Sequence, residues 1–473
     1  MRPEHAQNVE DGKISGKLIG LASVAALGGF LFGYDSAIIN GTVDAVQAEF
    51  GLSPVGIGFV VSCALIGAAI GAWTAGWCAQ RIGRVKTMLI ASALLAISAV
   101  GSALAFGSTD LIIWRFVGGI GVGFASVIAP AYIAEIAPSK HRGRMGSLQQ
   151  MAVVTGIFLA FLVSTLIVST TGGAAETGWL DMPGWRWMLL SELLPALLYG
   201  LLALRLPESP RYLVGCQRLA EASHILVHYV GIDAGARTEA KIEEIRQTLN
   251  VERRQTFGDL LGGSFIFKPI VWIGIVLSVF QQFVGINVIF YYSTTLWKSV
   301  GFDESNSFLI SVITSVTNIV ATVIAIALID KIGRKTLLVA GSAMMTISLG
   351  VMALAFSQSE IVGGELVLPG SWGVTALIFA NLFVIGFGTS WGPAVWVLLG
   401  EMFPNRIRAM ALGVAAAAQW VANFLVSTTF PSLAEVGLQL AYGLYATFAL
   451  LSLLFVLKFV PETKGKQLEE MTG

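Results

Sequence analysis

Twelve times along this chain, apolar residues run on for about 20 positions, the length an α-helix needs to cross a lipid bilayer. The runs lie near 18–40, 56–78, 87–107, 111–135, 146–170 and 187–206, and then near 268–297, 306–329, 336–357, 373–400, 409–430 and 438–460. In hydrocarbon every backbone N–H and C=O must find its partner inside the segment, so runs of this length fold as helices. The pattern predicts an all-α polytopic membrane protein. Composition agrees: 55% of residues are hydrophobic and 12% charged, against about 25% charged in an ordinary soluble domain. Lysine and arginine balance aspartate and glutamate, giving a net charge of zero. That argues against a nucleic-acid partner, which calls for a basic surplus. Cys63, Cys78 and Cys216 form no disulfide framework. The first 17 residues are polar, and the apolar run after them is long enough to span and stay, so no cleaved signal is expected.

Lysine and arginine set the orientation. Arg81, Arg84 and Lys86 follow the second run, and Lys140, Arg142 and Arg144 follow the fourth. Lys331, Arg334 and Lys335 follow the eighth, and Arg406 and Arg408 the tenth. Connections of the other parity are acidic, with Asp44, Glu49, Asp110, Glu176, Asp181, Asp303, Glu304, Glu360 and Glu365, and only Lys298 and Arg186 border them. Both termini and the central polar stretch are therefore expected in the cytoplasm. That stretch also carries helical periodicity, in Leu219, Ala222, Leu226 and Tyr229 and again in Ile242, Ile245 and Leu249. Short amphipathic helices on the cytoplasmic face are expected there.

The chain repeats itself. "RIGR" at 81–84 returns as "KIGR" at 331–334, "EIAP" at 135–138 as "EMFP" at 401–404, and "PESPR" at 207–211 as "PETKG" at 461–465. Each pair falls at the same place in its half, which predicts two parallel six-helix repeats with a substrate site near the midplane between them. The expected division is a tail (1–17), a six-helix half (18–206), a linker (207–267), a second half (268–460) and a tail (461–473).

Within this frame Asp35 is out of place, since a charge in the bilayer core costs about 2.5–3.5 kcal/mol on insertion scales. Counting 1.5 Å per residue outward from Leu18 sets Asp35 about 25 Å up, in the outer third of the core. Arg115, on a run that descends from Leu111, lies about 6 Å below the same surface. Either charge alone is costly, so the two are expected to pair. The pair reads either as a static tie between two helices or as a switch in which protonation of Asp35 releases Arg115. Gln281, Gln282, Asn287, Asn318, Gln150 and Gln419 supply neutral amides to other runs. Amides donate and accept, as sugar hydroxyls do. Phe32, Tyr291, Tyr292, Trp396 and Trp420 could stack on a sugar ring or gate access to it. "GGIGVG" at 118–123 lies inside an apolar run without a preceding strand, so it reads as helix packing; Gly119/Gly123, Gly29/Gly33 and Gly67/Gly71 are small-xxx-small pairs. No nucleotide-hydrolysing motif, nucleophile–base constellation or metal-ligand set appears. No enzyme activity, cofactor or metal is expected; His224 and His228 stand four apart without a further ligand.

Several segments together resemble the sugar porter family of the major facilitator superfamily, over essentially the whole length: "GGFLFGYDSAIING", "RFVGGIGVGFASVIAPAYIAEIAPSKHRGRMGSLQQ", "PESPR", "QQFVGINVIFYYS", "DKIGRK", "GEMFPNRIRA" and "PETKG". Within the family the resemblance points to bacterial proton-coupled glucose permeases. It implies the major facilitator fold and proton-coupled transport of a monosaccharide, glucose foremost, by a single chain in the bacterial inner (plasma) membrane. Asp35 matches proton-coupled members, although some facilitators share it. Gln150, Gln281, Gln282, Asn287, Asn318, Trp396 and Gln419 match sugar-contacting positions, as do Trp420 and Phe32. Many animal relatives carry Asn at the place of Gln419. The resemblance also assigns Arg84, Glu135 and Arg144, with Arg334, Glu401 and Arg408, to gates that lock the inner side. Gln80 stands where the family often has Asp or Asn, which predicts a weaker gate in the first half. A uniporter on the same site, or a membrane sugar sensor, are the alternative readings.

Overall fold

The computed structural model describes residues 16–137, 142–252, 257–262, 266–362, 365–404 and 407–463. Among the described residues twelve helices are long and apolar enough to cross a membrane. Spans 1 to 6 are Gly16–Glu49, Pro54–Ile82, Arg84–Ala103, Ser108–Ile136, Met145–Thr171 and Gly184–Ala203. Spans 7 to 12 are Pro269–Tyr291, Glu304–Ile329, Arg334–Phe356, Trp372–Met402, Met410–Val436 and Leu438–Phe459. The described residues are all-α apart from a short antiparallel hairpin, Glu360–Val362 with Glu365–Val367, between spans 9 and 10, and two isolated bridges, Thr177 with Pro183 and Leu261 with Phe267.

The two halves repeat each other in packing as well as in sequence. Span 2 packs on span 4, span 1 on span 5, and span 3 on spans 4 and 6. Six spans later, span 8 packs on span 10, span 7 on span 11, and span 9 on spans 10 and 12. The halves meet through span 2 against span 11 and span 5 against span 8, again a symmetric exchange. Close approach within the first half depends on the small-residue pairs. A Cβ at Gly67 or Gly71 would lie 2.3 Å from the carbonyl oxygens of Phe116 and Ile120. Reciprocally, one at Gly119 or Gly123 would lie 2.0 and 2.3 Å from those of Ala64 and Ala68. Gly33 and Gly156 interlock spans 1 and 5 in the same way. Helices in lipid gain little by burying apolar surface, so this backbone contact supplies dispersion instead.

Three spans depart from the straight helices that the apolar runs suggest. Span 1 continues past residue 40 through a 3₁₀ turn, Ile39–Thr42, into Val43–Glu49. Span 7 breaks at Gly285, whose φ of +83° a side chain would strain, and restarts as Ile286–Tyr291 and Ser293–Lys298. Span 10 carries a π turn, Phe387–Trp391. Breaks of this kind are tolerated in membranes where the freed backbone finds a partner inside the protein. Here the side chain of Gln281 donates to the Trp391 carbonyl at 2.8 Å.

We call the end of the bundle that carries Arg84 and Arg334 the basic end, and the end with Asp44, Asp110 and Glu304 the acidic end. Between spans 6 and 7 the helices Pro210–Gly215, Leu219–Ile225 and Ala236–Glu252 gather at the basic end around Leu213, Val214, Ala222 and Ile225. Ile242, Ile245 and Leu249 close that small core. The linker thus has an apolar nucleus of its own.

Candidate functional site

In the first half the site is built from charge. Arg115 of span 4 donates through Nη1 to Asp35 Oδ1 of span 1 at 2.6 Å. The two residues are 3% and 4% exposed. A third ionisable group joins them: Glu192 of span 6, 3% exposed, whose carboxyl faces both Asp35 and Arg115. Sequence reading missed Glu192. The signal was present, because it is a carboxylate inside the apolar run 187–206 and the argument that isolated Asp35 applies to it equally. One guanidinium therefore pairs with Asp35 and has a second carboxylate nearby. Arg115 Nε and Glu192 Oε1 are buried without a hydrogen-bond partner.

In the second half the site is built from neutral amides. Gln281, Gln282 and Asn287 stand on the two pieces of span 7, so the break at Gly285 sets their relative orientation. Asn287 donates to Gln282, and Gln281 Oε1 is buried without a donor. Asn318 of span 8 is buried against Gly388 of span 10, where a Cβ would lie 3.1 Å from its Oδ1. Gln419 of span 11 also holds a buried amide oxygen without a donor. Trp420 meets Phe32 of span 1 edge-on at 5.7 Å, an aromatic contact between the halves. Trp396 of span 10 is 43% exposed. Gln150 of span 5 is half-buried, and its neighbour Gln149 packs on span 1 beside Gly29 with a buried amide oxygen left without a donor. Gln149 was not singled out from the sequence.

A bridge links the two chemistries. The Tyr291 hydroxyl accepts from Asn423 Nδ2 at 3.4 Å and lies near Ser36, the residue after Asp35. Asn423 lies one turn beyond Gln419 on span 11, and it accepts from Ser427 at 3.1 Å. A single hydroxyl thus touches the span that carries the buried carboxylate and the span that carries a site amide.

At the basic end the repeated sequence motifs assemble into two copies of one cluster. Glu208, from "PESPR", accepts the backbone N–H of Arg84 at 2.9 Å and of Val85 at 3.3 Å. Glu462, from "PETKG", accepts those of Arg334 and Lys335, both at 3.0 Å. Each carboxylate caps the positive end of a helix dipole. Gly83 and Gly333 make room, with φ of +98° and +103°; a Cβ there would press on the capping carboxylate. Beside the caps Arg84 pairs with Glu135 at 2.7 and 2.9 Å, and Ser209 bonds to the same carboxylate. Arg334 pairs with Glu401 at 2.9 Å, and Thr463 bonds to it at 2.6 Å. These pairs lie within a half, not across the halves. The side chains of Arg144 and Arg408, the other two expected gate residues, lie outside the described residues. Gln80 is exposed, and the first-half pair is bidentate without it.

At the acidic end, by contrast, polar contacts cross between the halves. Thr294 donates its N–H to Asn40 Oδ1 at 3.1 Å, and its hydroxyl to the Asn40 carbonyl at 2.9 Å. Ser62 and Thr428 share a hydrogen bond of 2.6 Å. Spans 4 and 10, which carry the acids of the basic end, find their main packing inside their own halves. The acidic end is closed.

Comparison with known proteins is consistent with this geometry. A family model described as "Sugar (and other) transporter" matches residues 21–473. The glucose transport protein of Synechocystis sp. is 54% identical over 453 residues, covering 95% of this chain and 96% of its own. The D-xylose-proton symporter of Escherichia coli K12 is 39% identical, covering 97% and 95%. A partially occluded inward-open structure of the E. coli xylose transporter XylE superposes with a TM-score of 0.82 at 37% identity, covering 96% of this chain and all of that one. The chain belongs to the sugar transporter family: it has the major facilitator fold and is a multi-pass membrane transporter, not an enzyme.

Proposed function

We propose that this chain is a proton-coupled monosaccharide symporter, with glucose as its sugar, working in a bacterial inner membrane by alternating access. The basic end, both termini and the linker face the cytoplasm, and residues 18–206 and 268–460 move as two halves. One chain carries both the charged and the neutral site, which supports function as a monomer in the lipid bilayer. The observation that carries the reading is the buried cluster of Asp35, Arg115 and Glu192 in the first half, with the buried amides of Gln281, Gln282 and Asn318 in the second. One positive and two negative charges leave the cluster at −1 unless a proton joins it. In a medium that penalises unbalanced charge, the cluster is therefore a proton site.

The amides supply the sugar site. An amide oxygen buried without a donor costs about 1–3 kcal/mol, and Gln281 and Gln419 each carry one. Sugar hydroxyls are donors that satisfy them, while Asn287 and Asn318 complete the hydrogen bonding. Phe32, Trp396 and Trp420 offer apolar faces to the ring, and Gln150 approaches from the first half. Names among the relatives support the substrate class: a glucose transport protein and a D-xylose-proton symporter.

The cycle follows from these parts. Protonation of Asp35 weakens its hold on Arg115 and favours the outward-open arrangement. Sugar then draws span 7 toward span 1, and the halves close over it. At the inner end Arg84, Glu135 and Arg144 of one half and Arg334, Glu401 and Arg408 of the other would exchange partners across the halves, locking that end when the outer end opens. With the outer end closed and the inner pairs kept within their halves, the structure resembles the inward-facing stage. The test is uptake of labelled glucose into proteoliposomes with and without an imposed pH gradient, with xylose, galactose, arabinose and inositol as competitors. Uphill accumulation that needs the gradient is expected. Equilibration of sugar without accumulation, at a rate the gradient does not change, would reduce the protein to a uniporter.

A further inference from the structure

The outer closure contains an ion pair that joins the halves outside both the sugar site and the proton site. Five residues dock the short helix Ser293–Lys298 onto the end of span 1. Asn40 on the 3₁₀ turn and Asp44 on the helix after it meet Thr294, Thr295 and Lys298 of the short helix. Asp44 spends both carboxylate oxygens on this contact: Oδ1 accepts from the Thr295 hydroxyl at 2.7 Å, and Oδ2 lies 2.9 Å from Lys298 Nζ. Lys298 is also 4.0 Å from Glu304 Oε1, and the same oxygen accepts the Ala174 N–H, in the loop between spans 5 and 6, at 3.3 Å. The ammonium thus sits between an acid of each half, and its acid neighbour in turn holds the first half. Lys298 and Asp44 are about one-third exposed at their side chains. Burial opposes the charge on Lys298, but Asp44 and then Glu304 outweigh it and hold the ammonium above its usual range.

We infer that Asp44 and Lys298 form an electrostatic latch that holds the outer end shut and sets the resting balance between inward-facing and outward-facing states. The inference rests on the alternating-access reading, and it adds a pair of positioning residues that touch neither sugar nor proton. Opening outward must separate span 1 from the helix 293–298. That separation breaks the pair, the two threonine contacts and the tie from Glu304 to Ala174 together. A half-buried pair of this kind contributes about 1 kcal/mol at most, so its loss shifts the population toward the outward-open state about fivefold.

The latch is tested by spin-label distances in the full-length protein in liposomes, with labels at Thr170→Cys and Gln358→Cys, two exposed outer-end positions in opposite halves, after replacement of Cys63, Cys78 and Cys216. Asp44→Asn and Lys298→Gln are each expected to raise the long-distance, outward-open population about fivefold. The exchanged pair Asp44→Lys with Lys298→Asp, made together with Glu304→Gln so that the new aspartate meets no second acid, is expected to restore the short distance. Raised salt is expected to move the unmutated latch in the same direction as the single substitutions, which decides the matter if a variant does not insert. No shift in the single variants and none with salt would overturn the latch. A shift that the exchanged pair fails to reverse would also overturn it, by showing a contact of shape and not of charge. Neither sugar nor a proton gradient enters the readout, so these distances stand or fall separately from symport.

Discussion

The two halves bring opposite chemistry to the space between them. The first half supplies ions: Asp35, Arg115 and Glu192 come from spans 1, 4 and 6 and are all buried. The second supplies neutral amides from spans 7, 8 and 11. The architecture is duplicated, down to the capping carboxylates Glu208 and Glu462, but the chemistry is not. A proton needs a site whose charge changes by one, and a sugar needs donors and acceptors that stay neutral. Under the proposed assignment the proton is held by the first half and most of the sugar contacts by the second, so coupling crosses an interface. Under that assignment Tyr291 stands at the crossing: it accepts from Asn423 of the second half and lies near Ser36 of the first.

That division is broken most directly at Asp35. An imposed gradient of one pH unit stores about 1.4 kcal/mol per proton, enough for about tenfold accumulation. Asp35→Asn is expected to abolish that accumulation in proteoliposomes while sugar counterflow persists. If counterflow is lost in equal measure, the charged half is part of the sugar site and the division fails. The converse substitution is Gln281→Ala. It is expected to weaken sugar binding about tenfold, from a lost hydrogen bond of about 1.4 kcal/mol, as read by titration calorimetry. The pH dependence of whatever transport remains should be unchanged.

A smaller effect is expected at the bridge. Tyr291→Phe removes one hydroxyl and should lower the accumulation ratio about threefold, with sugar affinity measured at equilibrium close to unchanged. Equal loss of affinity and accumulation would make Tyr291 a sugar contact. Effects on stability, with none expected on coupling, belong to the duplicated caps. Glu208→Gln and Glu462→Gln keep shape but remove a charge from a helix N-terminus, and each should cost about 1 kcal/mol in thermal unfolding in detergent. The first-half substitution should cost more. Glu135 beside it is 11% exposed at its side chain and paired bidentately, whereas Glu401 is 31% exposed.

Much of the fold was legible because the bilayer leaves a chain few choices. Each apolar run became a span near its expected bounds, and the paired glycines marked where spans 1 and 5, and spans 2 and 4, touch. The site was legible in part. Asp35 and Arg115 stand in contact, as equal depth allowed, but Glu192 escaped notice although its run was identified. The break at Gly285 was hidden for a different reason. Its φ answers to packing: a side chain there would meet the Tyr445 ring within 3 Å. Gln149 beside Gly29 was likewise decided by helix rotation, which twenty apolar residues do not specify.

Sequence alone determined the number of spans, the duplicated plan, which end of the bundle is basic, and which polar residues are too costly to be in lipid without a purpose. These are properties of single segments against a fixed solvent, and each segment carries its own answer. Tertiary structure decided which charges meet. Asp44 and Lys298 are separated by 254 positions and read as ordinary loop charges until spans 1 and 7 are brought side by side. Arg84 and Glu135 were expected at a gate, but only packing decides whether such pairs form within a half or across it. A pair energy depends on distance and on local water, and both are fixed by the assembled bundle.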